Sequence, residues 1–224
     1  MAVGTLGWTA TQTPSEMRLK AAGEALDGIK ALDPESYLER LDSAYKAHNE
    51  KKKDSAEAGT DMHAELEKYV KSCLDTNEGR PLAHSVGETP QVSAFVDWSI
   101  ENVEKFLFSE AHTYSETHWL GGIVDAGAIM RTGRTAILDF KSSKDAYYSQ
   151  MVQIAGYALQ IEENGTLDSD GNAILPPMTV EELIVVPFGS DTLKPRAVQN
   201  VKDFKTAFIG ALENYKLSKA FEDK

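Results

Sequence analysis

The sequence predicts a mixed α/β fold with an α-helical N-terminal part. Three observations predict it: apolar residues recur at helical spacing in the first half, strand-like segments follow between residues 110 and 141, and a helix, a strand and a helix come after them. The length of 224 residues and a hydrophobic content of 42% suit one large domain, or one domain with an added part. We therefore expect helices first, and then a sheet with helices packed on it.

The first half is predicted to be helical. Residues 14–50 have helical patterning, and the charged linker "NEKKKDSAEAG" follows them. A helix from Met62 to Leu74 comes next, and the single cysteine, Cys73, belongs to its apolar face. The stretch "QVSAFVDWSIENVEKFLF" predicts a second amphipathic helix, whose buried stripe extends to Phe106.

The second half alternates between strands and helices. The predicted elements, in order, are a strand from Glu110 to Thr117, a hairpin in 121–143, a helix over 146–163, the loop "TLDSDGNAILPPM", a buried strand in "EELIVVPFG", a short strand in "KPRAVQ" and a C-terminal helix over "VKDFKTAFIGALENYKLSKAF".

Composition limits the functions that the chain can have. The net charge of −12 argues against a protein that coats nucleic acid by charge alone. A single cysteine cannot supply a four-thiolate iron–sulfur cluster, so none is expected. The chain has no apolar run of transmembrane length and no signal-peptide pattern, which leads us to expect no membrane partner and a cytoplasmic location.

The hairpin "GGIVDAGAIMRTGRTAILDFKSS" has an aspartate within each strand. A three-residue loop over 131–133, with Gly133 in the left-handed conformation, would pair Asp125 with Asp139, their Cβ atoms roughly 4.5 to 5.5 Å apart. Like charges at that distance destabilise a sheet unless a cation lies between them, and carboxylate oxygens suit Mg²⁺ or Mn²⁺. Lys141 shares a face with Asp139 and could hold a water or a phosphate oxygen. The alternative is an ordinary Asp–Lys surface pair.

Two helices add polar side chains to this picture. On the helix after the hairpin, Gln153 and Tyr157 form a polar and aromatic stripe that could bind a phosphate and stack a base or sugar. His63, in the first turn of its helix, suits a second metal ion. The alternatives are a tyrosine ring half-buried at a helix edge and a histidine with ordinary hydrogen bonds.

Four segments of the chain resemble motifs of the RecB-like branch of the PD-(D/E)XK nucleases, which includes CRISPR-associated exonucleases and many phage enzymes. They occur in the family's order: "GTDMHAELE" is similar to its Gly-x-x-x-His helix, "GGIVD" to its first acidic motif, "ILDFKSS" to its (D/E)-x-K motif and "QIAGY" to its Gln-x-x-x-Tyr helix. The resemblance implies a restriction-endonuclease-like core over 59–224, with residues 1–58 as a helical segment packed on it.

The resemblance also implies roles for single residues. Asp125, Asp139 and Lys141 would be catalytic, and the metal ligands would be His63, Asp125, Asp139 and the carbonyl group of Phe140. Substrate contacts would come from Gln153, Tyr157, Glu110 and Lys144, of which Glu110 matches an acidic residue often found on the strand before the first acidic motif.

The activity implied is hydrolysis of DNA phosphodiester bonds with one or two Mg²⁺ or Mn²⁺ ions, as an exonuclease on duplex ends or single strands. A stand-alone nuclease of a bacterium or phage-infected cell is expected, as a homo-oligomer or with a partner recombination protein. Two alternatives stay open: a nucleic-acid-binding module that has lost turnover, and a scaffolding protein. The sequence also leaves open DNA against RNA, exo- against endonuclease action, and cleavage polarity.

Overall fold

The structure is a computed structural model that describes residues 62–83, 89–190 and 192–222. These residues form an α/β arrangement in which four helices pack on a seven-stranded mixed sheet, so the predicted fold class is confirmed at that level. They belong to one compact unit, Ser55–Lys224. The helical segment predicted for residues 1–58 lies outside the described residues.

The elements, in chain order, are α1 (62–76), α2 (Pro90–Asn102), β1 (Val103–Ser115), β2 (Leu120–Met130), β3 (Thr135–Lys141), α3 (Tyr148–Asn164), β4 (Thr166–Leu167), β5 (Ala173–Leu175), β6 (Glu182–Pro187), β7 (Arg196–Val198) and α4 (Val201–Glu222). In the sheet the strand order is β5-β4-β1-β2-β3-β6-β7. Only the β3–β6 pair is parallel among these strands, and α3 lies in the connection between them. Among the described residues, no helix combines the length and the apolar character that crossing a bilayer requires.

Two hydrophobic layers hold the helices on the sheet. One lies between the sheet and α1 and α2, and is centred on the fully buried Phe95. The other lies between the sheet and α3 and α4, and includes Ile154 and Ile161. Each such side chain stabilises the fold by about 1.5 to 3 kcal/mol through removal of apolar surface from water. Cys73 is fully buried and is part of the first layer, as predicted.

The second predicted helix is too long. It ends at Asn102, and β1 begins at Val103, so the segment up to Phe108 is strand. Val103 and Phe106 are both buried on the α1 side, and the predicted helix would also have buried both. They share this face in a strand because register shifts in β1 place residues three apart on the same side. Bulges in a strand therefore mimicked helical spacing. The loop predicted after α3 also contains two short strands, β4 and β5.

The β2–β3 hairpin has the predicted turn. Gly133 has a φ of +82°, and its N–H donates to the carbonyl group of Met130 at 2.8 Å. The register runs from Ile129–Thr135 to Ala126–Leu138, in line with the predicted pairing. Backbone pairing ends there, however, and β3 continues beside β6 as far as Lys141. The two strands therefore separate where the aspartates lie.

Candidate metal centre

Helix α1 places His63 next to the central strands β1 and β2 of the sheet. The helix packs through the fully buried Leu66, Val70 and Cys73. Just after its end, the carbonyl group of Gly79 accepts a 2.7 Å hydrogen bond from the N–H of Phe106 on β1. These contacts fix the helix on the sheet and so fix the position of the imidazole in its first turn.

A local distortion of β1 and β2 turns two carboxylates toward α1. Glu110 has a φ of +51°, a left-handed conformation that costs about 1 to 3 kcal/mol for a residue other than glycine. On β2, Val124 packs on the α3 side while Ala126 packs on the α1 side, although strand alternation would place them together. Glu110 and Asp125 lie on adjacent strands at this break, and both side chains reach the imidazole of His63.

His63, Glu110 and Asp125 form a set of three ligand groups. The Nε2 atom of His63 is 3.2 Å from Oδ2 of Asp125, and its Nδ1 atom is 4.0 Å from Oε1 of Glu110. One ligand atom from each residue lies within 4.8 Å of the others. Oε1 of Glu110 is buried and accepts no hydrogen bond from the described residues. A divalent cation fits this arrangement, because it would supply the missing partner and because two carboxylates and an imidazole suit Mn²⁺ and Mg²⁺.

The electrostatics of the three groups favour a positive partner. Burial raises the pKa of Glu110, and the neighbouring charge of Asp125 raises it further. The hydrogen bond to Asp125 raises the pKa of His63 against the opposing effect of burial. Both shifts reflect negative charge held close together and partly away from water.

Asp139 and Lys141 lie on β3, beside this set. Oδ2 of Asp125 accepts a 2.5 Å hydrogen bond from the N–H of Phe140, which bridges the gap between β2 and β3. Asp139 is 3% exposed, and Nζ of Lys141 lies 2.9 Å from its Oδ1 atom and 2.8 Å from its Oδ2 atom. Burial raises the pKa of Asp139 to about 6; Lys141 opposes this effect, and the charge of Asp125 adds to it. The two aspartates are thus close enough to interact electrostatically.

The predicted cross-strand pair of aspartates is wrong in its geometry. Asp125 and Asp139 are not partners in the β2–β3 ladder, because that ladder ends one pair earlier. The carboxylate of Asp125 instead bonds the backbone of β3, and that of Asp139 is held by Lys141. Both aspartates lie near the gap between β2 and β3, and the sequence could not indicate that the paired ladder ends before it reaches them.

Glu110 has a different position from the one its sequence role implied. The resemblance implies a substrate contact for Glu110, and the structure places this residue among the candidate metal ligands with His63 and Asp125. The sequence gives only a weak indication that Glu110 is a ligand, since glutamates are common in strands. The sequence also gives no sign of the left-handed backbone at Glu110, because a residue other than glycine rarely adopts it.

Phe140 contributes its backbone and its ring. Its ring lies edge-on to the imidazole of His63, with centroids 5.6 Å apart, and packs in the same manner on Phe95. The next carbonyl group, that of Lys141, accepts from Phe188 on the β6 side. Because backbone groups alternate along a strand, the N–H and carbonyl groups of Phe140 are directed to the β2 side, where the candidate ligands lie.

The predicted polar stripe of α3 lies on the other side of the gap. Nε2 of Gln153 donates to Oη of Tyr157 at 3.1 Å. The Tyr157 ring lies over Gly122 of β2, where a Cβ atom would come within 2.5 Å of the ring. Burial raises the pKa of the Tyr157 hydroxyl, and Asp139 adds to that effect. Tyr157 is thus near the Asp139–Lys141 pair, whereas Lys144 is exposed in the loop between β3 and α3.

The chain was compared with protein-family models and with curated proteins. No protein-family model matches the chain, and no curated protein matches it. The resemblance to the RecB-like nucleases therefore rests on four short motifs and on the way the described residues bring them together.

Proposed function

We propose that the chain is a divalent-metal-dependent nuclease that hydrolyses phosphodiester bonds of DNA, with a restriction-endonuclease-like core of the RecB-like type. One observation carries the proposal: the carboxylates of Glu110 and Asp125 meet His63 next to the buried Asp139–Lys141 pair, at the point where β2 and β3 separate. The mixed sheet with helices on both faces is compatible with such a core.

The cation would be held by His63, Glu110 and Asp125, with Asp139 and the carbonyl group of Phe140 as neighbouring oxygen donors. A bound divalent ion supplies Lewis acidity toward a phosphate oxygen and lowers the pKa of a coordinated water. The donor set, which consists mainly of carboxylate oxygens, favours Mg²⁺ or Mn²⁺.

Lys141 orients the reacting groups. Its ammonium group has three donors and contacts both carboxylate oxygens of Asp139, so the carboxylate fixes its direction. A remaining donor is available for an attacking water or a non-bridging phosphate oxygen. The burial of the pair keeps this arrangement rigid before substrate binds, which is the condition for efficient electrostatic stabilisation.

Tyr157 and Gln153 position the nucleic-acid strand. The hydroxyl of Tyr157 accepts from Gln153 and keeps its own proton to donate, because burial raises its pKa above the ordinary value. The exposed amide of Gln153 is at the rim of the same region. Together they could bind an oxygen of the phosphate next to the one that is hydrolysed. The exposed Lys144 would add positive charge near that phosphate.

The test is digestion of end-labelled DNA by the full-length protein. Single strands and duplexes labelled at either end would be incubated with Mn²⁺, Mg²⁺ or EDTA, with a labelled RNA of the same sequence in parallel. We expect cleavage of DNA with either ion, none in EDTA, and a rate at least about 100-fold lower for Asp139→Asn, a loss typical for a catalytic group.

The matched control is Asp170→Asn, which removes an exposed carboxylate from the turn between β4 and β5. It is expected to cut at the wild-type rate. Equal rates for Asp139→Asn and the wild type would overturn the site. A folded wild-type protein that binds DNA without cutting it in any ion would instead be a nucleic-acid-binding module.

A further inference from the structure

The tip of the β1–β2 hairpin presents an exposed tryptophan. Trp119 is 92% exposed, and its φ of +56° lies in the left-handed region, an outlier for a bulky side chain. Exposing so large an apolar surface and holding its backbone in this conformation both cost free energy. Such a combination in a native protein indicates a functional role more than a packing role.

The turn that carries Trp119 is held firmly by α3. The carboxylate of Glu163 accepts from the hydroxyl of Ser115 at 2.6 Å and from the N–H groups of Glu116 and Thr117 at 3.1 and 3.0 Å. The N–H of His118 in turn donates to the Ser115 hydroxyl at 3.0 Å. The indole therefore projects from a turn whose backbone is already ordered by hydrogen bonds, so ordering that backbone costs little further entropy when a ligand binds.

A strip of exposed sheet connects this tip to the candidate metal centre. The side chains of Thr113 and Ser115 on β1 donate hydrogen bonds to residues of α3, so Tyr114 between them faces the opposite side of the sheet, where Glu110 lies. On that side, Tyr114 is 37% exposed and Ile123 is 45% exposed. Trp119 precedes Asp125 by six residues, which in an extended chain is roughly 20 Å, a length that matches about six stacked nucleotides at 3.4 Å each.

The chemistry of the strip suits bases rather than phosphates. Between residues 111 and 126 the sequence has no lysine and no arginine, so this surface lacks the cations that track a nucleic-acid backbone. It offers aromatic and apolar side chains, and aromatic rings bind unpaired bases of any sequence by stacking. A closed duplex would keep its bases away from such a surface.

We propose that Tyr114, Trp119 and Ile123 form a binding strip for the unpaired bases of a single strand, on which Trp119 stacks a base several nucleotides from the bond that is cut. This inference rests on the proposed nuclease function and deepens it, because it assigns single-stranded polynucleotide as the substrate that the strip recognises.

The experiment measures binding of a fluorescent 20-nucleotide single strand, and of the corresponding blunt duplex, to full-length protein by anisotropy. All proteins in this experiment carry Asp139→Asn, so that the DNA stays intact while Mn²⁺ is present. We expect Trp119→Ala to raise the Kd for the single strand about tenfold, the size of one lost stacking contact, and Trp119→Phe to change it by less than about threefold. Affinity for the duplex should not change with either variant.

The matched control is Tyr215→Ala, which removes an aromatic ring that is 61% exposed on α4, and it should bind both DNAs like the background. The proposed strip would be overturned if Trp119→Ala bound the single strand as tightly as the Asp139→Asn background does. It would also be overturned if Trp119→Ala weakened binding of the single strand and of the duplex equally. If the wild-type protein still cuts DNA in that case, the nuclease proposal stands. Absence of both binding and cutting by the wild-type protein overturns both proposals.

Discussion

Asp139 holds a carboxylate inside the protein, where an apolar side chain would fold more easily. It is 3% exposed, and burial raises its pKa to about 6 in spite of the neighbouring ammonium group of Lys141. Glu110 is also in an unfavourable state, with a left-handed backbone and a buried oxygen that accepts no hydrogen bond from the part of the chain that the structure describes. Two local violations of folding preferences, side by side, are typical of functional sites.

Replacement of Asp139 by asparagine should therefore stabilise the metal-free protein while it removes activity. The folded pKa of about 6 lies above the unfolded value of 3.8, so the ionised carboxylate lowers stability progressively above pH 4 and fully above pH 6. At pH 8 in EDTA we expect the free energy of unfolding to rise by about 1 to 3 kcal/mol. Urea denaturation followed by circular dichroism measures this change, and a clear loss of stability at pH 8 would contradict it.

At the scale of elements, the β1–β2 hairpin depends on one side chain of α3. Glu163 accepts hydrogen bonds from three residues of the turn, and these lower its pKa to about 2, with the bond from the Ser115 hydroxyl as the largest cause. The carboxylate thus joins the end of α3 to the turn that carries Trp119. Because α3 also places Tyr157 over β2, one helix orients both the hairpin tip and the Tyr157 ring.

Glu163→Gln should destabilise the protein in a pH-dependent manner. The folded pKa of about 2 lies below the unfolded value of 4.5, so the contribution of the carboxylate is complete above pH 4.5 and is lost as the pH falls toward 2. The difference in urea midpoint between the variant and the wild type should therefore be larger at pH 7 than at pH 3. Glu213→Gln, which alters an exposed ion pair on α4, is the control. A difference that is independent of pH would refute this role.

The elements that could be predicted from sequence are those that local chemistry decides. Gly133 specified the β2–β3 turn and hence the register, and the apolar spacing of Met151, Ile154 and Ala158 specified the buried face of α3. The start of β1 was missed, because bulges place Val103 and Phe106 on one face at a spacing that a helix also gives. The separation of β2 from β3 was missed as well, since it depends on the pairing of β3 with β6.

At the scale of the whole molecule, the candidate site lies where one sheet receives helices from both faces. His63 comes from α1 on one face, and Tyr157 comes from α3 on the other. The strands between them separate beyond Ala126 and Leu138, which opens a gap for charged groups. The four motifs are spread over about a hundred residues of sequence, and their convergence in the described residues is a property of the fold that no single motif could predict.

The proposed cation site is formed by His63, Glu110 and Asp125, beside Asp139 and Lys141. Anomalous diffraction from a crystal soaked in Mn²⁺ tests it most directly, with a crystal of Glu110→Gln as the matched control. We expect a manganese peak about 2 Å from a nitrogen of His63 and from oxygens of Glu110 and Asp125, and a weaker peak in the variant. Manganese bound only at other carboxylates, with none among these three side chains, would contradict it.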